Sequence, residues 1–278
     1  MSTLGRVAVI GAGQMGTLLG MALRETVDEV VLADRDPDAL QASLERNAAH
    51  RTVSVEEALD ADAVVLAVPL PEIVALVETL GPRFREGSLV IDTGSAKGRV
   101  VEAMSRHVPV GVPAIGGHPM AGTEVPGPAG ADPARLRHAT FALTPVREDP
   151  IAILRATALA EAVGARPRVV DAAEHDRVVA RTSHLPHVLA FALSGLVLAL
   201  PEEGVRDLAA SGFDGATRLA ASDPGMVAGF LGSNADEVRA SIGELRDRLA
   251  EVERALDTPE ELARLLDADA EGRRRAVE

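Results

Sequence analysis

Short apolar runs alternate with amphipathic stretches through the first 171 residues. Residues 6–10, 30–33, 63–68 and 88–91 are largely unbroken apolar runs, as expected of strands buried on both faces of a parallel sheet. Helical patterns at residues 14–25 and about 72–80 lie between them, which is the βαβ alternation. Further strands are predicted at 110–115, 140–143 and 168–170. After Asp171 the strand signals stop. Residues 174–200 form a long helical pattern with Pro186 inside it, which predicts a kink or a split. Its second half is apolar nearly all round and is therefore expected to be buried on every side. In so small a helical region the expected cover is a second subunit. Residues 234–256 read as an amphipathic helix, with Val238, Ile242, Leu245, Leu249 and Val252 on one face. A short helix at 259–266 and a polar tail follow. The pattern predicts an α/β domain over 1–171, with a mostly parallel, doubly wound sheet, and an all-α domain over 172–278.

Composition narrows the chemistry. Aromatic residues are 2% of the chain, all Phe, so the core rests on Ala, Val and Leu and no Tyr hydroxyl is on offer. The absence of Cys excludes disulfides, thiolate nucleophiles and Cys-ligated zinc. A formal net charge of −14 argues against nucleic acid as a partner. It also means that an anionic substrate would need dedicated local cations. No secretory leader pattern is visible. The apolar run at 185–200 falls short of the roughly 20 residues of a membrane span. No membrane partner and a cytoplasmic location are expected.

The segment Gly11-Ala12-Gly13-Gln14-Met15-Gly16 directly follows a predicted strand and opens a helix, the context in which GxGxxG signals a dinucleotide site (Rossmann fold). Gly11 permits the tight turn, Gly13 lets a pyrophosphate approach and Gly16 lets the helix pack close to the strand. Asp34 ends the second strand about 20 residues on, where an acid accepts from ribose hydroxyls. This favours NAD over NADP, although Arg35 is placed to pair with a 2′-phosphate. Pro69, after the 63–68 strand, is read either as a wall of the cofactor site or as a strand terminator.

Four further segments carry the chemistry. They are Asp92 to Gly98, Gly116 to Glu124, Ser183-His184-Leu185-Pro186-His187, and Gly212 to Pro224. Together with the glycine loop, in this order, they resemble the prephenate/arogenate dehydrogenase family. The family resemblance implies a Rossmann domain followed by a helical dimerisation domain, hence a homodimer. It implies oxidative decarboxylation of an anionic cyclohexadienol, with hydride passing to the nicotinamide. His118 matches the catalytic base, and a neutral imidazole suits that task. Ser95 would bond His118 or the substrate hydroxyl, or else cap the helix beginning near Gly98. Thr123 and Glu124 match residues lining the site. His184 and His187 share a helix face and are expected as substrate donors. They lack a third partner at metal-ligand spacing, so no metal is expected. Arg218 would grip a substrate carboxylate in a bidentate fork, with Lys97 as a possible second cation.

The chain departs from the family pattern at Gly212-Phe213-Asp214-Gly215 and at Val227, where Arg and Trp are usual. Both departures fall at the substrate side-chain end. Prephenate giving 4-hydroxyphenylpyruvate is therefore the leading expectation, with arogenate and 4-amino-4-deoxyprephenate as sister substrates. A β-hydroxyacid dehydrogenase or imine reductase would share the glycine loop but not the His118 motif. A non-catalytic NAD sensor would keep the fold without turnover.

Overall fold

A computed structural model describes residues 4–123 and 125–277. Eight strands form one sheet: β1 (Arg6–Ile10), β2 (Glu29–Ala33), β3 (Arg51–Thr52), β4 (Ala63–Leu66), β5 (Leu89–Asp92), β6 (Ala114–Pro119), β7 (Thr140–Pro145) and β8 (Arg166–Val169). Their spatial order is β3-β2-β1-β4-β5-β6-β7-β8. Neighbours run parallel except β6 and β7, which are antiparallel.

Successive residues along each central strand enter opposite cores, as a period of two demands. Val7, Val9, Val65, Leu89 and Ile91 face one core, with Leu18, Leu19 and Leu23 of α1 (Gln14–Leu23) and Ala156 and Leu159 of α6 (Pro150–Ala162). Ala8, Ile10, Val64, Leu66 and Val90 face the other, with Ile73 and Val77 of α4 (Leu70–Leu80) and Val100 and Met104 of α5 (Gly98–His107). Smaller helices α2 (Pro37–Glu45) and α3 (Val55–Ala58) complete the first half. The strand order reverses between β1 and β4, and ligands of such sheets bind at the carboxyl ends beside that point.

β6 departs from the expectation at 110–115: it begins at Ala114 and runs through Gly116, Gly117 and His118. The glycines disguise it. A Cβ on Gly117 would lie 2.3 Å from the Asp92 carbonyl oxygen, so the strand tolerates no side chain there.

Pro186 does not split the long helix. α7 (Ala172–Val179) passes through a π turn at Ala180–His184 into α8 (Leu185–Leu196) and a closing 3₁₀ turn at Val197–Ala199. Pro186 falls in the first turn of α8, and the wider π turn absorbs its missing N–H. Within one chain this half of the helix is left uncovered: Leu196 is 70% and Leu198 85% exposed. The helical run Ala172–Ala199 is also long and apolar enough to cross a membrane by length and composition, because the helix starts well before the apolar run.

α9 (Glu202–Leu208), α10 (Ser211–Thr217) and α11 (Pro224–Ser233) follow. The chain divides into two compact units after Asn234. The reason is polar ties: the Asn234 side-chain amide donates to the Asp176 carbonyl at 2.8 Å, and Asp176 in turn holds α5. The small unit consists of α12 (Ala235–Ala255) and α13 (Pro259–Val277), joined by Arg248 to Asp269 at 2.6 Å. α13 outruns the short helix expected at 259–266, because pairs such as Glu271 with Arg274 and Arg275 support helix in the polar tail.

Candidate active site

Because β1, β4, β5 and β6 are parallel, their carboxyl ends share one edge of the sheet. That edge carries the glycine loop after β1, Pro69 after β4, the Asp92-to-Gly98 turn after β5, and His118 near the end of β6. Residues distant in sequence thus become neighbours in one row.

The glycine loop fits a dinucleotide phosphate. Gly11 adopts φ +114°, and a Cβ there would lie 2.4 Å from the Ala67 carbonyl oxygen. At Gly16 a Cβ would collide with the Gly11 carbonyl oxygen at 1.8 Å. A Cβ on Gly13 would meet nothing within 4 Å, so the loop opens outward at that point. No side chain caps α1, which leaves its first N–H groups for an anion. Met15 packs its side chain against the core, so only its backbone can serve such a ligand. Asp34 accepts from Ala12 N–H at 2.5 Å and from Asp36 N–H at 2.9 Å, tying the acid to the loop. Arg35 is exposed and paired with Glu72 at 3.0 Å. Pro69 is exposed at the N-cap of α4.

Gln14 reaches the loop beyond β6. Its amide nitrogen donates to Thr123 Oγ1 and to the Val125 carbonyl, and its oxygen accepts from Thr123 N–H at 2.9 Å. Thr123 therefore stands beside the cofactor loop. Glu124 lies outside the described residues.

His118 is half-buried, and its Nδ1 lies 2.9 Å from Nε2 of His175. His175 in turn places Nδ1 2.7 Å from Asp176 Oδ1. Burial holds the His118 pKa well below the usual imidazole range, and His175, Lys97 and His184 push the same way. Burial would raise the Asp176 carboxyl, but hydrogen bonds from His175, Gly98 and Lys97 outweigh it and the group stays below its ordinary range. Ser95 is half-buried and neither bonds His118 nor caps α5: the partner of His118 is His175, and α5 is capped by Asp176, which accepts from Lys97 N–H at 2.7 Å and Gly98 N–H at 2.8 Å.

Lys97 is corrected as a substrate cation. It is fully buried, paired with Asp92, and donates to the Gly117 carbonyl at 2.6 Å. Asp92 also accepts from Gly117 N–H at 2.9 Å. One buried ion pair thus grips both polar groups of the residue before His118. Burial lowers the Lys97 pKa, with Asp92 and Asp176 opposing.

The His184 ring is fully buried. The Asn234 amide donates to its Nδ1 at 3.2 Å, and Phe230 stacks on it at 5.0 Å between centroids. His187 is half-buried, meets Phe230 edge-on at 5.1 Å, and donates from Nδ1 to the Ser183 carbonyl at 2.9 Å. Its Nε2 is thereby left without a proton when the ring is neutral. Arg218 is exposed in a short 3₁₀ turn, Arg218–Ala221, that packs against α8, the helix of His187. Asp214 is exposed on α10 one turn earlier, and Val227 is buried in α11. His175 and Asp176 were missed from sequence. An ionisable Glu174-His175-Asp176 triplet at a helix start was the available signal.

A dinucleotide loop and a half-buried imidazole on the same sheet edge define a nucleotide-dependent oxidoreductase. The model of the prephenate dehydrogenase nucleotide-binding domain matches residues 19–169, and that of the prephenate dehydrogenase dimerization domain matches residues 171–268. The chain belongs to the prephenate dehydrogenase family. It is 28% identical over 265 residues to the cyclohexadienyl dehydrogenase of Zymomonas mobilis, covering 90% of each chain. The arogenate dehydrogenase of Synechocystis superposes with TM-score 0.82 at 26% identity, over 98% of this chain and 100% of the other. Prephenate dehydrogenase from A. aeolicus, solved with hydroxyphenyl propionate and NAD+, superposes with TM-score 0.90 over 99% of each chain, a likeness of fold at 24% identity.

Proposed function

We propose that this enzyme oxidatively decarboxylates prephenate to 4-hydroxyphenylpyruvate with NAD as acceptor. The observation that carries this is the placement of His118. It lies on the sheet edge of the glycine loop, with Nδ1 engaged by His175, so that Nε2 is the nitrogen left for a substrate hydroxyl. When bound, NAD accepts the hydride. Gly11, Gly13, Gln14, Met15 and Gly16 bind its pyrophosphate through the loop backbone and the N-terminus of α1. Asp34 receives the ribose, Arg35 flanks it, and Pro69 forms part of the wall. His118 Nε2 takes the hydroxyl proton as the carbon–hydrogen bond breaks, which lets the ring lose CO₂ and become aromatic. Ser95 orients the hydroxyl. Arg218 holds a carboxylate, the local cation that a chain of charge −14 requires. His187 and Thr123 line the site, with Glu124 assigned beside them by family resemblance. His184 shapes it from behind, through Phe230.

Arogenate is the second reading. The arogenate dehydrogenase of Synechocystis is among the similar structures, and Asp214, where Arg is usual, offers a carboxylate to a substrate amine. The domain division at residue 171, a homodimer built on the exposed face of α8, and a cytoplasmic location are parts of the same reading. The test is absorbance of reduced cofactor in a grid of prephenate, arogenate and 4-amino-4-deoxyprephenate against NAD and NADP. Turnover with prephenate and NAD is expected. Turnover in the arogenate row alone would move the assignment there, and a blank grid with NAD bound would sink both.

A further inference from the structure

The neighbours of His118 dictate where its proton sits. Asp176 is the fixed end of the chain, because it already accepts from the backbone N–H groups of Lys97 and Gly98 and therefore faces His175 as an anion. A carboxylate can only accept, so His175 must carry its proton on Nδ1, 2.7 Å away. When the His175 ring is neutral, its Nε2 is then bare. The 2.9 Å contact to His118 requires one proton between two ring nitrogens, and it must come from His118 Nδ1. The remaining nitrogen of His118, Nε2, is left without a proton, which is the form a base needs. The opposite arrangement, His175 donating to His118, would put the proton on Nε2 and block it.

We propose that His175 and Asp176 are positioning residues that hold His118 in the tautomer with Nε2 bare. The dyad is anchored independently of the substrate. Asp176 caps α5 through its side chain and receives Asn234 at its carbonyl, 2.8 Å away. Lys97, whose backbone it holds, grips Gly117 on the strand that carries His118. Imidazole, carboxylate, buried amine and strand thus close a ring around the base. The kinetic consequence rests on the reading of His118 as the base, whereas the tautomer is a property of the resting protein.

The experiment is solid-state NMR of the whole protein labelled with 13C,15N-histidine. Bare and protonated ring nitrogens resonate far apart there, and each is identified by its bonded carbon. The signals of His118 among the seven histidines are found by their loss in His118→Asn. In the wild type, Nδ1 of His118 should be protonated and Nε2 bare. In Asp176→Asn one oxygen becomes an NH₂: with the amide oxygen kept on Gly98 N–H, the NH₂ takes the Oδ1 position that Lys97 N–H and His175 share, so the Lys97 bond is lost. That NH₂ donates to His175, and both histidines should exchange tautomers. His175→Leu leaves the α5 cap untouched, so it remains informative even if Asp176→Asn does not fold. His118 should then populate both tautomers, with kcat lowered about 10²-fold while NAD affinity holds. His175→Gln, whose carboxamide oxygen can accept from His118, should recover part of both the tautomer and the rate. A protonated Nε2 in the wild type, or unchanged His118 spectra in His175→Leu, would overturn the proposal. The expected tautomers with no turnover on any cyclohexadienol would uphold it and sink the substrate reading instead.

Discussion

A half-buried imidazole serves as a base only while one nitrogen stays bare and the ring stays neutral. Burial keeps His118 neutral, with its pKa held well below the imidazole range. His118→Asn should therefore lower kcat by about 10²–10⁴-fold, with NAD affinity unchanged by fluorescence titration. A rate within error of wild type would remove His118 from the chemistry. His184 gives a prediction on stability. Burial pushes its pKa down to about 4, with Asp176 opposing and His187 and His175 adding, against 6.5 in the unfolded chain. Between those values the unfolded chain holds a proton that the folded chain refuses. Stability therefore rises with pH across this window and is lost as pH falls from 6.5 towards 4, by about 3 kcal/mol from this group. His118 shifts in the same direction and adds to the acid loss. Urea midpoints at about pH 7.5 and about pH 4.5 should show the drop, and His184→Gln should shrink it. Equal drops in both proteins would place its source elsewhere. His118 and the glycines were legible because each belongs to a contiguous motif. His175 and Asp176 were not, since their meaning lies in contacts to His118, 57 residues away, and to the α5 N-terminus. Lys97 was misread for the same reason: a lysine at a helix start looks exposed until the buried Asp92 beside it is known.

At the scale of elements, the helix that delivers the dyad is held by its own cap. Asp171 accepts from Ala173 N–H at 2.9 Å and from Glu174 N–H at 3.3 Å, which starts α7. The cap side chain is exposed, and the Asp171 carbonyl, which accepts from His175 N–H at 2.8 Å, is kept when the side chain is removed. Asp171→Ala should cost about 1 kcal/mol of stability, read as a lower urea midpoint, with kcat unchanged because Asp176 still fixes α7 to α5. A fall in kcat as large as the loss from His175→Leu would mean that the site depends on the cap and not on the ring of polar contacts. Most elements were legible from apolar runs and their period, as β1 and α4 illustrate. β6 was not, because the site needs two glycines and a proline where a strand would ordinarily carry apolar side chains. Function overrode propensity there, and the strand is recognisable through its pairing with β5 and β7.

At the scale of the whole molecule, α8 presents an apolar surface that its own chain leaves open. Residues 185–200 include no Asp, Glu, Lys or Arg, in a chain whose net charge is −14. The break in character after Asp171 was legible in that contrast, and a second subunit is the cover proposed for it. The extent of the exposed face was not, since burial on every side is a property of an assembly. Charge sets how two copies should behave. Their apolar faces attract, while two bodies of charge −14 repel across a distance that salt shortens. The dimer should therefore tighten as ionic strength rises, opposite to an interface built on ion pairs. Light scattering at micromolar protein should give twice the 28.9 kDa chain mass. Leu196→Glu with Leu198→Glu should give the monomer with helix content intact, because both side chains are exposed in one chain and neither supports its core. A dimer that survives both changes would have to be built on another face. A dimer that dissociates as salt rises would mean that charge pairs, and not the apolar surface of α8, hold the two copies together.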